Sequence, residues 1–270
     1  MIRLSGAMQQ TLLVALLMSG GTLLTVDVLM EELWGTTPPA KVANALHAQV
    51  SRLRRSLARL EAGQAEPRLT TSPSGYVLRV DRSELDACVF VDTIDAIRAR
   101  VDAGLVADPS ACAAEVRASL AQWRGPVFGG LTGGLLCQTA AARFAESRIS
   151  ALSLLYELEI SSGHSTKVLP ELTELFAQNS SQEQLCLLLM VALYRSGRQI
   201  DALDVYRKFR RVLADNLGIE PTPALQRYER AILAHDPILV EDFLRVSRGG
   251  DNGRRRLDLV QPAMSARAAG

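Results

Sequence analysis

The sequence predicts a mainly α-helical protein: an N-terminal winged helix-turn-helix with a small β-hairpin wing, followed by an all-α domain of tetratricopeptide-like helical repeats. Three observations lead to this prediction. The pattern of the first 80 residues predicts three helices and a hairpin, and the third helix has a basic face. After residue 150, a helical pattern recurs every 34 residues. A chain of 270 residues has room for two domains. We place them at residues 1–82 and 83–237, before a tail at 238–270 that lacks periodicity and is expected to be disordered.

Two short helices are predicted first, at residues 9–18 and 26–34, where apolar residues recur at helical spacing. Thr25 is a suitable N-cap for the second helix. Gly35 is expected to end that helix in a left-handed conformation, and the Pro38-Pro39 pair prevents the helix from continuing.

A third helix is expected from Lys41 to about Ala62, because its apolar residues form one stripe. The stripe consists of Val42, Leu46, Val50, Leu53, Leu57 and Leu60. The opposite face presents polar and basic side chains, namely Asn44, His47, Ser51 and Arg55, with Arg52, Arg54 and Arg59 on its flanks.

The basic face of the third helix has two interpretations. A run of charged residues more often marks a solvent-exposed surface than a binding site. Residues 40–60 contain no acid that could pair with the arginines, however, and the mixture of guanidinium, amide and hydroxyl groups is the one that holds phosphates and reads base edges in a major groove. The pattern therefore favours binding of double-stranded DNA by these side chains and by Lys41 at the start of the helix. The net charge of +1 for the whole chain excludes only a non-specific polycation.

A β-hairpin is predicted after the third helix. Two strand-like runs, residues 68–71 and 76–80, flank the turn Ser72-Pro73-Ser74-Gly75. Hydroxyl groups and a glycine at the tip allow close approach to a DNA backbone or minor groove. Two helices, a basic third helix and a hairpin follow one another in the order found in a winged helix. The candidate DNA contacts in the hairpin are Thr71, Ser72, Ser74, Gly75 and Tyr76.

From Asp86 onward the pattern changes to successive amphipathic helices. They are predicted at residues 89–101, 110–122, 137–161, 166–178, 181–195, 199–217 and 223–234, with a glycine-rich link at 123–134. Gly163 and Gly197 are 34 residues apart, and so are Leu155 and Leu189. This is the tetratricopeptide spacing, in which each helix pair buries its apolar face against its neighbours. Such repeats usually bind protein partners.

Signatures of catalysis, cofactor binding and metal binding are missing from the sequence. It contains no phosphate-binding G-x-x-x-x-G-K-[ST] motif, and His47, His164 and His235 have no serine or cysteine partner at motif spacing. The four cysteines are far apart, without a C-x-x-C pair. We therefore predict a non-enzyme without cofactor or metal, with reduced and mostly buried thiols, located in the cytoplasm. The longest apolar runs, residues 12–18 and 185–193, are too short to cross a membrane.

Several strings resemble the Streptomyces antibiotic regulatory protein (SARP) family. They are Leu29 to Gly35, Pro38-Pro39, Asn44 to Leu46, Val50 to Arg55, Gly75-Tyr76, Trp123 to Gly125, Ala192 to Gln199 and Leu217 to Pro221. The resemblance covers about residues 12–237. It implies a response-regulator-type winged helix joined to a bacterial transcriptional activator domain. It also implies an activator of secondary-metabolite (antibiotic) gene clusters that binds direct repeats near the −35 element of promoter DNA and contacts RNA polymerase holoenzyme.

The resemblance also implies roles for particular segments. The helix from Lys41 to Leu60 resembles the recognition helix, and Ser72 to Gly75 resembles the wing. The loop that faces polymerase in the family corresponds to Trp34, Gly35, Thr36, Thr37 and Pro38. Tandem operator repeats imply self-association of protomers on DNA. Family members begin with a short sheet before the first helix, and only Met1 to Gly6 remains in its place here, so the N-terminal sheet is expected to be shortened.

Two alternatives stay open from the sequence. With a shortened N-terminus, the chain could be a tetratricopeptide-type protein-binding adaptor with weakened or lost DNA binding. A repressor would use the same DNA contacts as an activator.

Overall fold

The computed structural model describes Leu4 and residues 6–58 and 67–236 of the chain. These residues form two compact units, one within Met1–Gly163 and one within His164–Gly270. Helices dominate both units, and the described strands form one small sheet near the N-terminus. The predicted fold class is therefore confirmed. Arg59 and the expected tail at 238–270 lie outside the described residues.

The winged helix comprises, in the described part of the chain, three helices and three short strands. They are α1 (Ala7–Met18), β1 (Leu24–Thr25), α2 (Val26–Trp34), α3 (Val42–Leu57), β2 (Leu69–Ser72) and β3 (Gly75–Leu78). The Thr25 hydroxyl accepts a hydrogen bond of 3.4 Å from the backbone N–H of Val28, so Thr25 is the predicted cap of α2. Gly35 ends α2 with φ 55° and ψ −126°, which glycine adopts readily but which differs from the left-handed helical conformation expected from the sequence.

The sheet is antiparallel, with the strand order β1-β3-β2. β2 and β3 form the predicted hairpin, in which Ser72 pairs with Gly75 and leaves Pro73 and Ser74 as a two-residue tip. The sequence does not predict β1, whose two residues pair with Tyr76 and Gly75. A strand of two residues is too short to show an alternating hydrophobic pattern.

One hydrophobic core holds these elements together. Its buried residues come from all three helices and from the hairpin: Leu12, Ala15, Leu16, Leu29, Leu46, Val50, Leu53, Leu69, Tyr76 and Leu78. Three residues of the stripe predicted for the third helix, Leu46, Val50 and Leu53, are thus fully inside. Burial of this stripe directs the opposite face of α3 toward the solvent.

The first unit continues with three longer helices. They are α4 (Asp86–Asp102), α5 (Pro109–Leu120) and α6 (Leu135–Ser161), with short 3₁₀ turns at Arg82–Glu84 and Val127–Gly130. The Asp108 carboxylate accepts a hydrogen bond of 2.9 Å from the backbone N–H of Ser110 and so caps α5. α6 packs against α4 and α5 and also against α1 and α2 of the winged helix.

The second unit, as far as it is described, consists of α7 (Ser165–Gln178), α8 (Glu183–Arg195), α9 (Gln199–Leu217) and α10 (Pro223–Leu233). α8 packs against α7, α9 and α10, and every residue from 185 to 193 is buried. Gly163 and Gly197 have φ of 83° and 75°, and a helix begins two residues after each of them. The 34-residue spacing therefore marks the same turn in two successive helix pairs.

Candidate DNA-binding surface

The outward face of α3 carries most of the predicted contact residues. Those exposed to solvent are Lys41, Asn44, His47, Ser51, Arg52 and Arg55. The segment Val42–Leu57 contains no acidic side chain. Its exposed face therefore combines positive charge with amide, imidazole and hydroxyl groups, which is the chemistry that a DNA groove requires.

Arg54 differs from the other arginines of α3 because it contacts the hairpin. Its Nε donates a hydrogen bond of 3.2 Å to the backbone carbonyl of Leu69, and its Nη2 donates one of 2.5 Å to the Thr71 hydroxyl. The guanidinium also lies over the Tyr76 ring, 5.9 Å from the centroid. Arg54 thereby joins the third helix to the wing, in addition to its predicted role as a DNA contact.

The five predicted residues of the wing divide into an exposed and a buried group. Thr71 and Ser74 are exposed, and Ser72 is half-buried. Tyr76, only 4% exposed, belongs to the hydrophobic core. A Cβ on Gly75 would lie 1.9 Å from the backbone oxygen of Leu24, so the pairing with β1 requires glycine at this position. Packing within the domain therefore explains why glycine and tyrosine occupy positions 75 and 76, and no contact with a ligand is needed to explain them.

The loop after α2 is exposed along most of its length. Gly35, Thr36, Thr37 and Pro38 are all exposed, whereas Trp34 is partly buried and packs on the core of the winged helix. The Thr37 hydroxyl donates a hydrogen bond of 3.3 Å to the backbone carbonyl of Trp34. Trp34 thus anchors a loop whose remaining residues are available to a partner.

Sequence reasoning missed the role of Glu32. The residue is 6% exposed, and its carboxylate accepts hydrogen bonds of 2.9 Å from the backbone N–H groups of Leu136 and Cys137 in the first turn of α6. Burial and the neighbouring Glu32 carboxylate raise the pKa of the Cys137 thiol to about 12, so this cysteine stays protonated. The side chain of Glu32 therefore ties the winged helix to the first turn of α6.

Arg68 and Glu84 fix the chain that leaves the wing. The Arg68 guanidinium forms two hydrogen bonds of 2.7 Å to the two carboxylate oxygens of Glu84. Glu84 also accepts a hydrogen bond of 3.0 Å from the backbone N–H of Asp81. The bonds from Arg68 and Asp81 lower the pKa of Glu84 to about 2.

Comparison with known proteins identifies the family. The family described as "Transcriptional regulatory protein, C terminal" matches residues 3–78, and "Bacterial transcriptional activator domain" matches residues 85–233. The chain belongs to the SARP family of transcriptional regulators. The resemblance predicted from the sequence is confirmed.

Individual SARP relatives and a solved structure support the assignment. Transcriptional regulator RedD of Streptomyces coelicolor is 37% identical over 231 residues, which are 85% of this chain and 65% of RedD. Regulatory protein DnrI of Streptomyces peucetius is 34% identical over 226 residues, 82% of either chain. The structure of Mycobacterium tuberculosis EmbR in complex with a low-affinity phosphopeptide is 30% identical, with a TM-score of 0.79 over 91% of this chain and 63% of the EmbR chain. The SARP chain thus spans less than two thirds of RedD and of that EmbR chain.

The family assignment confirms the prediction that the SARP chain is not an enzyme, because its relatives are transcriptional regulators. Within the described residues, no group of three or more His, Cys, Asp or Glu side chains could hold a metal ion. All four cysteines are buried and free. None of the described helices is long and apolar enough to span a membrane.

Proposed function

We propose that the chain activates transcription by binding promoter DNA sequence-specifically, with α3 in the major groove and the tip of the β2–β3 hairpin against the backbone or minor groove. The observation that carries the proposal is the exposed face of α3. It presents Asn44, His47, Ser51, Arg52 and Arg55 together while Leu46, Val50 and Leu53 anchor the other face in the core. A helix presented in this way has the width and the hydrogen-bonding groups to read a major groove.

The exposed side chains divide into two roles. Asn44, His47, Ser51 and Arg55, near the middle of the exposed face, read base edges. Lys41 and Arg52, together with Arg59, which lies outside the described residues, hold phosphates. Phosphate contacts set the register of a protein on the duplex and base contacts set its specificity.

The remaining surfaces serve protein partners in this proposal. The exposed loop Gly35 to Pro38 contacts RNA polymerase holoenzyme, with Trp34 holding it in place. Direct repeats near the −35 element position protomers side by side, so that they associate on DNA. The regulated genes belong to a secondary-metabolite cluster, as for the antibiotic regulators among its relatives. This part of the proposal rests on the family membership and on the exposure of the loop.

A promoter-footprinting experiment tests the DNA contacts. The full chain is footprinted on promoters neighbouring its own gene, with and without RNA polymerase. We expect protection of two direct repeats that polymerase strengthens, and loss of protection in an Arg52→Ala, Arg55→Ala double variant, which leaves the Arg54 contacts to the wing intact. Arg211→Ala, which removes an exposed arginine of α9, is the matched control.

Two results would contradict the proposal. Equal binding of the double variant and the wild type would remove α3 from the interface. The absence of any salt-sensitive duplex affinity would favour the protein-binding adaptor instead, since phosphate contacts always make DNA affinity depend on salt.

A further inference from the structure

A cleft of about 310 Å³ opens in the first unit, away from the outward face of α3. Four aromatic side chains line it: Phe90 of α4, Trp123 and Phe128 of the link between α5 and α6, and Phe144 of α6. Phe90 and Trp123 form an edge-to-face pair with centroids 5.2 Å apart, and Phe128 and Phe144 form another at 6.0 Å. The cleft is within the size range of small-molecule sites and has an aromatic lining typical of them.

The aromatic cluster around the cleft is incompletely covered. Phe90 and Phe144 are only 2% and 1% exposed, whereas Trp123 and Phe128 are only partly buried. Large aromatic rings gain the most from leaving water, so partial burial beside an open cleft leaves apolar area available to a ligand.

The backbone at the edge of the cleft is strained. Phe128 has φ 52° and ψ 25°, a left-handed conformation that costs energy for a bulky residue. Gly129 and Gly130 follow it with φ of 68° and 81°, so three successive residues have positive φ. This conformation places the Phe128 ring edge-on to Phe144 as a wall of the cleft, and strain of this kind is characteristic of ligand-binding segments.

The charges around the cleft are predominantly positive. Arg124 lines it, 3.9 Å from Asp86, and both side chains are 81% exposed. Arg143 lies with its guanidinium 5.0 Å from the Phe144 centroid, and Arg148 lies 5.4 Å from the Trp123 centroid. Two guanidinium groups outside the lining thus contact the aromatic wall, and the lining itself contributes one arginine, Arg124, and one carboxylate, Asp86. The rim therefore favours an anion over a cation.

We infer that this cleft binds a planar aromatic carboxylic acid. The aromatic part packs against Trp123 and Phe128, the two partly buried rings of the lining, and the carboxylate turns toward Arg124 at the mouth. A cleft of this volume accepts a molecule of about two fused rings, well below the size of a drug-like ligand. The inference does not depend on DNA binding, because the site is separate from α3 and is measured without DNA.

Isothermal titration calorimetry of the full chain tests the site, with 2-naphthoate as the probe and 2-naphthamide as its neutral isostere. We expect saturable one-to-one binding of 2-naphthoate and clearly weaker binding of 2-naphthamide. Ala87→Phe fills the cleft from its α4 wall and should weaken binding by about tenfold or more. Arg124→Gln should weaken binding severalfold, because this exposed side chain contributes charge and little packing.

Arg211→Gln, in α9, is the matched charge control and should bind 2-naphthoate as the wild type does. A circular-dichroism melt of each variant shows whether it is folded. If Ala87→Phe fails to fold, the affinities of Arg124→Gln for 2-naphthoate and of the wild type for 2-naphthamide still test the inference. Three outcomes would overturn the inference: no saturable binding of 2-naphthoate by the wild type, unchanged affinity in folded Ala87→Phe, or equal affinity for acid and amide.

Discussion

Glu32, in the second helix of the winged helix, accepts a 2.9 Å hydrogen bond from the backbone N–H of Cys137, 105 positions further along the chain. The same carboxylate accepts a second bond of 2.9 Å from Leu136. The first backbone N–H groups of a helix have no partner within it and carry partial positive charge, so a buried carboxylate stabilises them strongly. A Cβ on Gly134 would lie 2.6 Å from Glu32, which shows how closely the two segments approach. The winged helix and α6 are thereby joined by a specific polar contact as well as by apolar packing.

Glu32→Ala should lower the free energy of unfolding of the first unit by about 3 kcal/mol, because it leaves two backbone N–H donors, one buried and one partly buried, without an acceptor. Glu32→Gln keeps the shape and one acceptor oxygen and should cost less, about 1 kcal/mol. Urea unfolding followed by circular dichroism measures both. The control is Glu31→Ala, which removes the exposed neighbouring carboxylate. Equal destabilisation by the two alanine substitutions would show that the contact with α6 contributes no more to the free energy of unfolding than the exposed side chain of Glu31 does.

Sequence patterns predict the helices well, because each depends on neighbouring residues. α9 has the predicted bounds, Gln199–Leu217, since Gly197 and Gly218 mark its two ends. The contact of Glu32 depends on a partner more than 100 residues away, which no local pattern shows. The same limit applies to the hairpin, where the composition around the turn identifies a wing but does not indicate that Tyr76 faces the core.

Arg54 illustrates how a sequence pattern can hide a structural role. Its position on the flank of the apolar stripe groups it with the arginines that are predicted to contact DNA. Its guanidinium nevertheless donates to Leu69 and Thr71, because the hairpin folds back beside α3. Charge counting along the helix cannot distinguish a guanidinium that faces solvent from one that holds the wing.

Arg54→Lys should lower the free energy of unfolding by about 1 kcal/mol, since lysine keeps the charge but cannot reproduce two directed hydrogen bonds and the position over Tyr76. Arg55→Lys, on the adjacent exposed position, should leave stability unchanged. Thermal or urea unfolding compares the two. If both substitutions had the same effect, the link between α3 and the wing would contribute nothing to the fold.

Arg55→Ala should weaken binding to the cognate promoter by about 1–3 kcal/mol and relax specificity at one base pair, if the guanidinium reads a guanine. Arg52→Ala should weaken binding to all sequences alike and reduce the slope of log affinity against log salt by about one. Gel shifts with cognate and base-substituted duplexes at graded salt separate the two. Identical profiles for the two variants would contradict the division between base and phosphate contacts.

Gly75→Ala should destabilise the winged helix by about 2–4 kcal/mol, because the new Cβ collides with backbone atoms of Leu24 and Thr25 that belong to β1. Ser74→Ala, at the exposed tip beside it, should be nearly neutral for stability. Unfolding of the two variants distinguishes a packing requirement at Gly75 from a ligand-binding one, which would reduce DNA affinity without a loss of stability.

The ion pair between Arg68 and Glu84 should make stability depend on pH in the acid range. Its two hydrogen bonds and the bond from Asp81 lower the pKa of Glu84 from 4.5 to about 2 in the folded chain. A carboxyl group whose pKa is depressed by folding stabilises the fold above its unfolded pKa, and this contribution is lost as the pH falls toward the folded pKa. We therefore expect Glu84→Gln to melt at a lower temperature than the wild type at pH 6, with the difference shrinking between about pH 4.5 and pH 2.

Arg68→Gln should show the same dependence of melting temperature on pH. The double variant should melt at nearly the same temperature as either single variant, because both substitutions remove the same interaction. A difference in melting temperature that stays constant down to pH 2 would show that the carboxylate contributes through its shape rather than its charge.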